Sequence, residues 1–172
     1  MANFAIALAS TETWEGGYVN NPSDSGGETY TGISRRNWPN WPGWPIIDNS
    51  KSQVDFPKGL KMNVGLQALV SQFYQQHFWR FETLDDQQVA NKLFDFAVNV
   101  GMFHCAKIAQ QICQVTCDGR IGPKTIAAIN SQDAQQFISA FRAQAEKYHE
   151  EIVVSHPEDA QFLKGWLRRD AS

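Results

Sequence analysis

A mainly α-helical fold with a small β-hairpin after its first helix is predicted by three features of this sequence. Apolar residues recur three and four positions apart through most of the chain, the spacing that lines one face of a helix. One stretch, WEGGYVNNPSDSGGETYTGIS from Trp14 to Ser34, breaks that rhythm with turn residues. The last third returns to helical spacing, punctuated by Asp118-Gly119 and Gly122-Pro123, and predicts a compact C-terminal helical region.

Residues 1–15 are expected as the first helix, because Phe4, Ala7, Leu8, Thr11 and Trp14 share one face. Gly16-Gly17 ends it, which makes Glu15 its last residue. A carboxyl there meets the negative end of the helix dipole and the apolar neighbours Trp14 and Tyr18. Both favour the neutral form and raise the pKa, as a general acid near neutral pH requires. Asn-Pro and Asp-Ser-Gly-Gly signal turns, and Glu28 to Ile33 reads as a Thr-rich return strand. Asp24 and either Thr29 or Thr31 can then face Glu15 across a gap. Two carboxylates flanking a cleft are the working parts of most glycosidases. The competing reading is plainer: Glu15 is a solvated helix end, and Asp24 bonds its own turn.

The following RRNWPNWPGWPIIDNS is expected as an ordered loop, since Trp38, Trp41 and Trp44 each precede a proline. Two readings are open. The indoles form a small aromatic core that pins the loop, or one of them, Trp41, lines a sugar cleft. Helical spacing resumes from about Val64 to Phe81, with His77 as a surface or satisfied histidine and not a ligand. Asp85-Asp86 offers a start for a more apolar helix, VANKLFDFAVNVG, that ends at Gly101 and runs through the middle of the fold. Asp95 and Asn99 fall on one face of it and need partners in so apolar a helix. Asp95 is expected to tie helices together; Asn99 does the same or reaches the cleft. Residues 133–154 and 157–169 give two further amphipathic helices, the second opened by Pro157. No Ser-, Gly- or Pro-rich linker appears, so residues 1–101 and 102–172 are expected as two sequence regions of one body.

The chain has 172 residues, 42% hydrophobic and 19% charged, a globular and not a disordered composition. A formal charge of −3 argues against a nucleic-acid partner and provides no general attraction to an anionic surface. Any such attraction would fall to local patches at Arg35-Arg36 and at Lys164, Arg168 and Arg169. Cys105, Cys113 and Cys117 are odd in number and match no zinc spacing, so buried thiols are expected. No apolar run is long enough to span a membrane. The start, MANFAIALASTETW, lacks a basic segment and a long apolar core, so no ordinary secretory signal is expected.

The E-G-G-Y of residues 15–18 followed by the D-x-G-G-x-T-x-x-G-I of residues 24–33 resembles glycoside hydrolase family 108, bacterial and phage N-acetylmuramidases among which are proteins called secretion activators. The resemblance implies a lysozyme-like helical fold and cleavage of the β-1,4 bond between N-acetylmuramic acid and N-acetylglucosamine in peptidoglycan. It puts the catalytic glutamate on Glu15. A wider resemblance to phage lysozymes puts an aspartate role on Asp24 and a threonine role on Thr29 or Thr31. Tyr18, Thr31, Asn99 and Trp41 are then the candidate substrate contacts. No metal or organic cofactor is implied. The D-G-x-x-G-P-x-T of residues 118–125 resembles a peptidoglycan-binding module of the same family, against the plainer reading of a connection between two helices. An EF-hand is excluded, because the further acidic ligands are missing. Peptidoglycan glycan strands are the expected partner of a monomer without membrane insertion. The protein is expected to be made in the cytoplasm and to reach the wall through a phage-made lesion or by non-classical export. Three rivals follow: a lytic transglycosylase using Glu15 alone, a non-catalytic wall-binding or secretion-accessory protein, and an intracellular helical interaction protein.

Overall fold

The computed structural model describes residues 1–12, 17–20 and 27–171, the side chain of Glu12 apart. In chain order these form α1 (Phe4–Glu12), β1 (Tyr18–Asn20), β2 (Glu28–Tyr30), β3 (Ile33–Ser34), α2 (Trp44–Ser50), α3 (Val64–Phe78), α4 (Gln87–Val100), α5 (Met102–Ile112), α6 (Pro123–Asn130), α7 (Ala134–Ser155) and α8 (Ala160–Asp170). The fold is mainly helical with a small antiparallel sheet after the first helix, as the hydrophobic spacing implies. Contacts group the chain into two compact units, one of residues 1–11 and 78–172, the other of residues 12–77. No described helix is long and apolar enough to cross a membrane.

In the first unit α4 carries the core. Asp86 caps it by accepting the Val89 N–H at 2.9 Å, satisfying one of the amides that a helix start leaves open. Its Leu93, Phe94, Phe96 and Ala97 are buried. Phe94 meets Phe4 of α1 and Trp79 edge-on at 5.7 Å, and Phe96 meets Phe141 of α7 at 5.2 Å. Edge-to-face geometry lets the positive rim of one ring meet the negative face of the next.

The polar residues inside this core are partnered through the C-terminal helix. Asp95 takes a two-pronged bond from Arg169, with both N–O distances 2.9 Å. Lys92 donates to the Arg169 and Asp170 carbonyls at the end of α8. Asp170 lies 2.7 Å from His149 Nδ1, both side chains almost fully buried. Asp95 therefore ties helices together, as expected. Arg169 does not act as part of an open basic patch, because its guanidinium is committed to Asp95.

The turn at residues 118–123 is held from beneath by Gln110, which is 1% exposed. The two hydrogens of its Nε2 are shared among Asp118 Oδ1 at 2.7 Å, the Arg120 carbonyl at 2.9 Å and Thr125 Oγ1 at 3.1 Å; its Oε1 accepts from the Gly119 amide at 3.0 Å. The Asp and Thr of the D-G-x-x-G-P-x-T pattern are thus engaged in building the turn. Pro123 stands at the start of α6, where a missing N–H leaves no bond unmade.

Buried thiols are found at Cys105 alone. Cys113 is half-buried and Cys117 exposed, because the chain leaves the helix after Ile112 and carries both toward the surface. Burial pushes the Cys105 and Cys113 thiols above the ordinary range.

Gly119 has φ +75°, and a Cβ there would strike the ring of Phe103. Gly165 lies exposed inside α8 with nothing within 4 Å of its would-be Cβ. Gly119→Ala is expected to lower stability by about 1–3 kcal/mol, through backbone strain and the clash. Gly165→Ala is expected to raise it by about 0.5–1 kcal/mol, by removing a flexible residue from a helix. Urea unfolding of the two variants should give shifts of opposite sign.

Candidate functional site

The second unit is built on three very short strands in the order β1-β2-β3. Tyr18 pairs with Tyr30, Val19 with Thr29 and Asn20 with Glu28; Thr29 pairs in turn with Ser34, and Tyr30 with Ile33. The single return strand expected from Glu28 to Ile33 is broken in two. Thr31 and Gly32 both have positive φ, +43° and +82°, the pattern of the tight turn whose twist matches a hairpin. Glycine does this freely; a β-branched threonine does it at a cost of about 1–3 kcal/mol. The Thr31 amide donates to the Gly17 carbonyl at 3.2 Å and the Tyr74 hydroxyl donates to the Thr31 carbonyl at 2.6 Å, which hold the strained turn in place. The Thr31 hydroxyl is buried with no partner among the described residues. Thr29, on the other face of β2, turns its hydroxyl to the Gly27 carbonyl at 3.4 Å.

Alternation along β2 places Glu28 on the face that Tyr30 shares. Its carboxylate accepts the Tyr18 hydroxyl at 2.8 Å and lies 2.8 Å from both Arg35 Nε and Lys51 Nζ. Asp48 of α2 completes the cluster, 2.8 Å from Arg35 Nη2 and 2.7 Å from Lys51 Nζ. Arg35 also lies over the Trp44 ring at 4.5 Å. The expectation of an open basic patch at Arg35-Arg36 is therefore corrected at Arg35, whose charge is met by two carboxylates. Hydrogen bonds from Arg35 and then Lys51 pull the Asp48 carboxyl down to about 2. Burial, followed by the bond to Glu28 and its charge, pushes the Tyr18 hydroxyl up.

The predicted loop at residues 35–50 also needs correction. Pro45 does not stop a helix but stands in the first turn of α2, where φ is already suited to the helix. Trp41 and Trp44 are buried and meet edge-on at 5.1 Å, and Trp41 stacks on Tyr30 at 6.5 Å. Gly43 is what lets them in, since any Cβ there would enter the Trp41 ring. The aromatic-core reading thus describes Trp41 and Trp44. Trp38 is different: it is 36% exposed, with its ring 4.9 Å from Phe73 and 4.3 Å from the exposed His77. Beside it the Trp38–Pro42 segment and α3 enclose a groove of about 360 Å³, which Trp41 also lines.

Glu15 and Asp24 lie outside the described residues. Tyr18, Thr29, Thr31 and Trp41 all belong to this unit. Asn99 sits on α4 in the other unit, its Nδ2 buried with no partner among the described residues. Sequence reasoning missed Glu28, Asp48 and Lys51 as a cluster, and Trp38 with His77. Asp48 and Lys51 are three apart, a helical pair that becomes visible only once α2 is recognised.

A group whose folded pKa is depressed contributes stability that is present above its unfolded pKa and lost as pH falls through the folded value. For Asp48 this window runs from its ordinary 3.8 down to about 2. The carboxyl followed by NMR should titrate near 2 in the intact protein and closer to its ordinary value in Arg35→Gln. An unchanged midpoint would show that Arg35 does not hold it.

The comparisons with known proteins agree with this architecture. The family model described as Glycosyl hydrolase 108 matches residues 8–101, and one described as Predicted Peptidoglycan domain matches residues 104–171. The solved structure of Brucella abortus SagA is similar, with a TM-score of 0.67 at 26% identity, over 98% of this chain and 89% of that one. No curated protein matches. The two matched regions give the chain a peptidoglycan-related function, with peptidoglycan as its partner. With the first model spanning more than half of the sequence, from the second half of α1 through the small sheet to the end of α4, the chain belongs to the glycosyl hydrolase 108 family.

Proposed function

We propose that this protein is an N-acetylmuramidase that hydrolyses the β-1,4 bond between N-acetylmuramic acid and N-acetylglucosamine. The observation that carries the reading is the glycosyl hydrolase match over residues 8–101, which encloses Glu15, Asp24, Thr29 and Thr31 together. The geometry supports it in one respect. The turn after β2 holds Thr31 in a strained conformation, its hydroxyl without a partner among the described residues, and strain of that kind collects at functional sites.

In this reading Glu15 is the general acid. It enters protonated and gives its proton to the bridging oxygen as the C–O bond breaks. Positive charge grows on the ring that loses the oxygen. Asp24 stabilises that charge or, with the Thr29 hydroxyl, aligns the water that attacks it. Thr31, Tyr18 and Trp41 contact the glycan, and Asn99 takes an acetamido group. Residues 1–101 form the cutting region and 102–172 the wall-binding region, which act on the wall once the protein has left the cytoplasm.

Glu15→Gln keeps the side-chain shape but removes the proton. Clearance of purified walls is expected to fall about 10²–10⁴-fold, with the circular dichroism spectrum unchanged. Mass spectrometry of the wild-type products should show reducing ends formed by water. Near wild-type clearance by the variant would remove Glu15 from the role. Anhydro ends would replace the hydrolase with a transglycosylase, and binding to sacculi without any clearance would leave a wall-binding protein.

A further inference from the structure

We propose that the groove between the Trp38–Pro42 segment and α3 binds an N-acetylhexosamine ring of a glycan chain, with the indole of Trp38 as its stacking platform. The proposal rests on the muramidase reading for the identity of the glycan, and on the groove itself for the rest.

Four observations carry it. The groove holds about 360 Å³, and among the described residues no Asp, Glu, Lys or Arg lines it, which leaves the His77 imidazole as its one titratable side chain. The exposed platform is rigid. The Trp38 amide donates to the Ser34 carbonyl at 2.9 Å, its own carbonyl accepts the Trp44 Nε1–H at 2.7 Å, and Phe73 and His77 brace the ring. A fixed aromatic face suits the flat apolar face of a pyranose and loses little freedom on binding. Around it the side chains of Asn37 and Gln72 supply amides, which can both donate to and accept from hydroxyl and acetamido groups. Finally, Trp41 lines the same groove with its Nε1 buried and without an acceptor among the described residues. Closed off in this way the nitrogen meets no ligand oxygen, but the indole, 6% exposed, gives the groove a second apolar wall beside Trp38.

The alternatives fit less well. A nucleic-acid strand stacks on aromatics but needs cations along its backbone. An acidic stem peptide needs the same. A lipid chain would leave the amide rim unpaired. A neutral ring with hydroxyl and acetamido groups uses both the indole face and the amides beside it.

The test uses full-length Glu15→Gln protein, so that the glycan stays intact, titrated with chitotetraose and followed by calorimetry and by the indole N–H signals in NMR. Binding is expected, with the Trp38 and Trp41 signals shifting. Trp38→Ala should weaken it by about tenfold or more, as loss of one aromatic stacking partner does elsewhere. Trp38→Phe should retain part of it. Gln72→Ala, at an exposed position, should weaken it by about threefold, the worth of one hydrogen bond. Cellotetraose, which lacks acetamido groups, should bind more weakly. Unchanged affinity in a folded Trp38→Ala or in Gln72→Ala, or shifts confined to other indoles, would overturn the proposal. Wall clearance by the wild type together with that outcome would sink the groove and spare the muramidase; groove binding without clearance would do the reverse.

Discussion

The Glu28 carboxylate is the fastening on which the small sheet depends. Strands of three, three and two residues are too short to stand by their own ladder. Glu28 draws together the Tyr18 hydroxyl of β1, Arg35 just beyond β3 and Lys51 just beyond α2, and Asp48 shares both cations. Ion pairs at a surface are individually weak, but here five groups form one network that is partly shielded by the Trp44 ring. What the network supplies is position: it fixes the sheet against α2 while the other face of β2 is left to Thr29.

From that fastening the aromatic residues carry order outward. Tyr30 is buried, accepts from Gln67 at 2.8 Å and stacks on Trp41, which meets Trp44 and Phe73. Each contact leaves less freedom for the next. At the end of the chain of rings stands Trp38, immobilised at its base and open on one face. A binding surface made this way is organised before any ligand arrives, which lowers the ordering cost of recognition.

The other unit solves a different problem. Helix α4 buries Lys92 and Asp95, and both find partners in the last turn of α8. Replacing such pairs by apolar residues is often neutral, so their contribution lies as much in register as in energy. Only one seating of α8 satisfies Arg169 and Asp170 together. The Gln110-held turn works in the same manner, one buried amide setting the whole of residues 118–125.

By itself the sequence determined most of the helices, because periodicity and caps are local: α4 starts after Asp86 and stops at Gly101, and α7 covers nearly the expected 133–154, whereas α3 stops at Phe78, short of Phe81, and α8 starts at Ala160, after a single 3-10 turn at Pro157–Asp159. It also determined where the sheet lies and, through the residues of the E-G-G-Y and D-x-G-G motifs, which family the chain resembles. Tertiary structure decided the rest, since partners in space are remote in sequence. A proline after each tryptophan looks the same whether it halts a helix or opens one, and only the burial of Trp44 and Ile47 shows that Pro45 opens α2. Arg35 looks like free charge until Glu28 and Asp48 come within reach. Thr31 looks like a strand residue until the turn gives it positive φ. Three indoles at equal spacing are equivalent on paper, and only the fold, burying Trp41 and Trp44 while leaving Trp38 against His77, tells them apart.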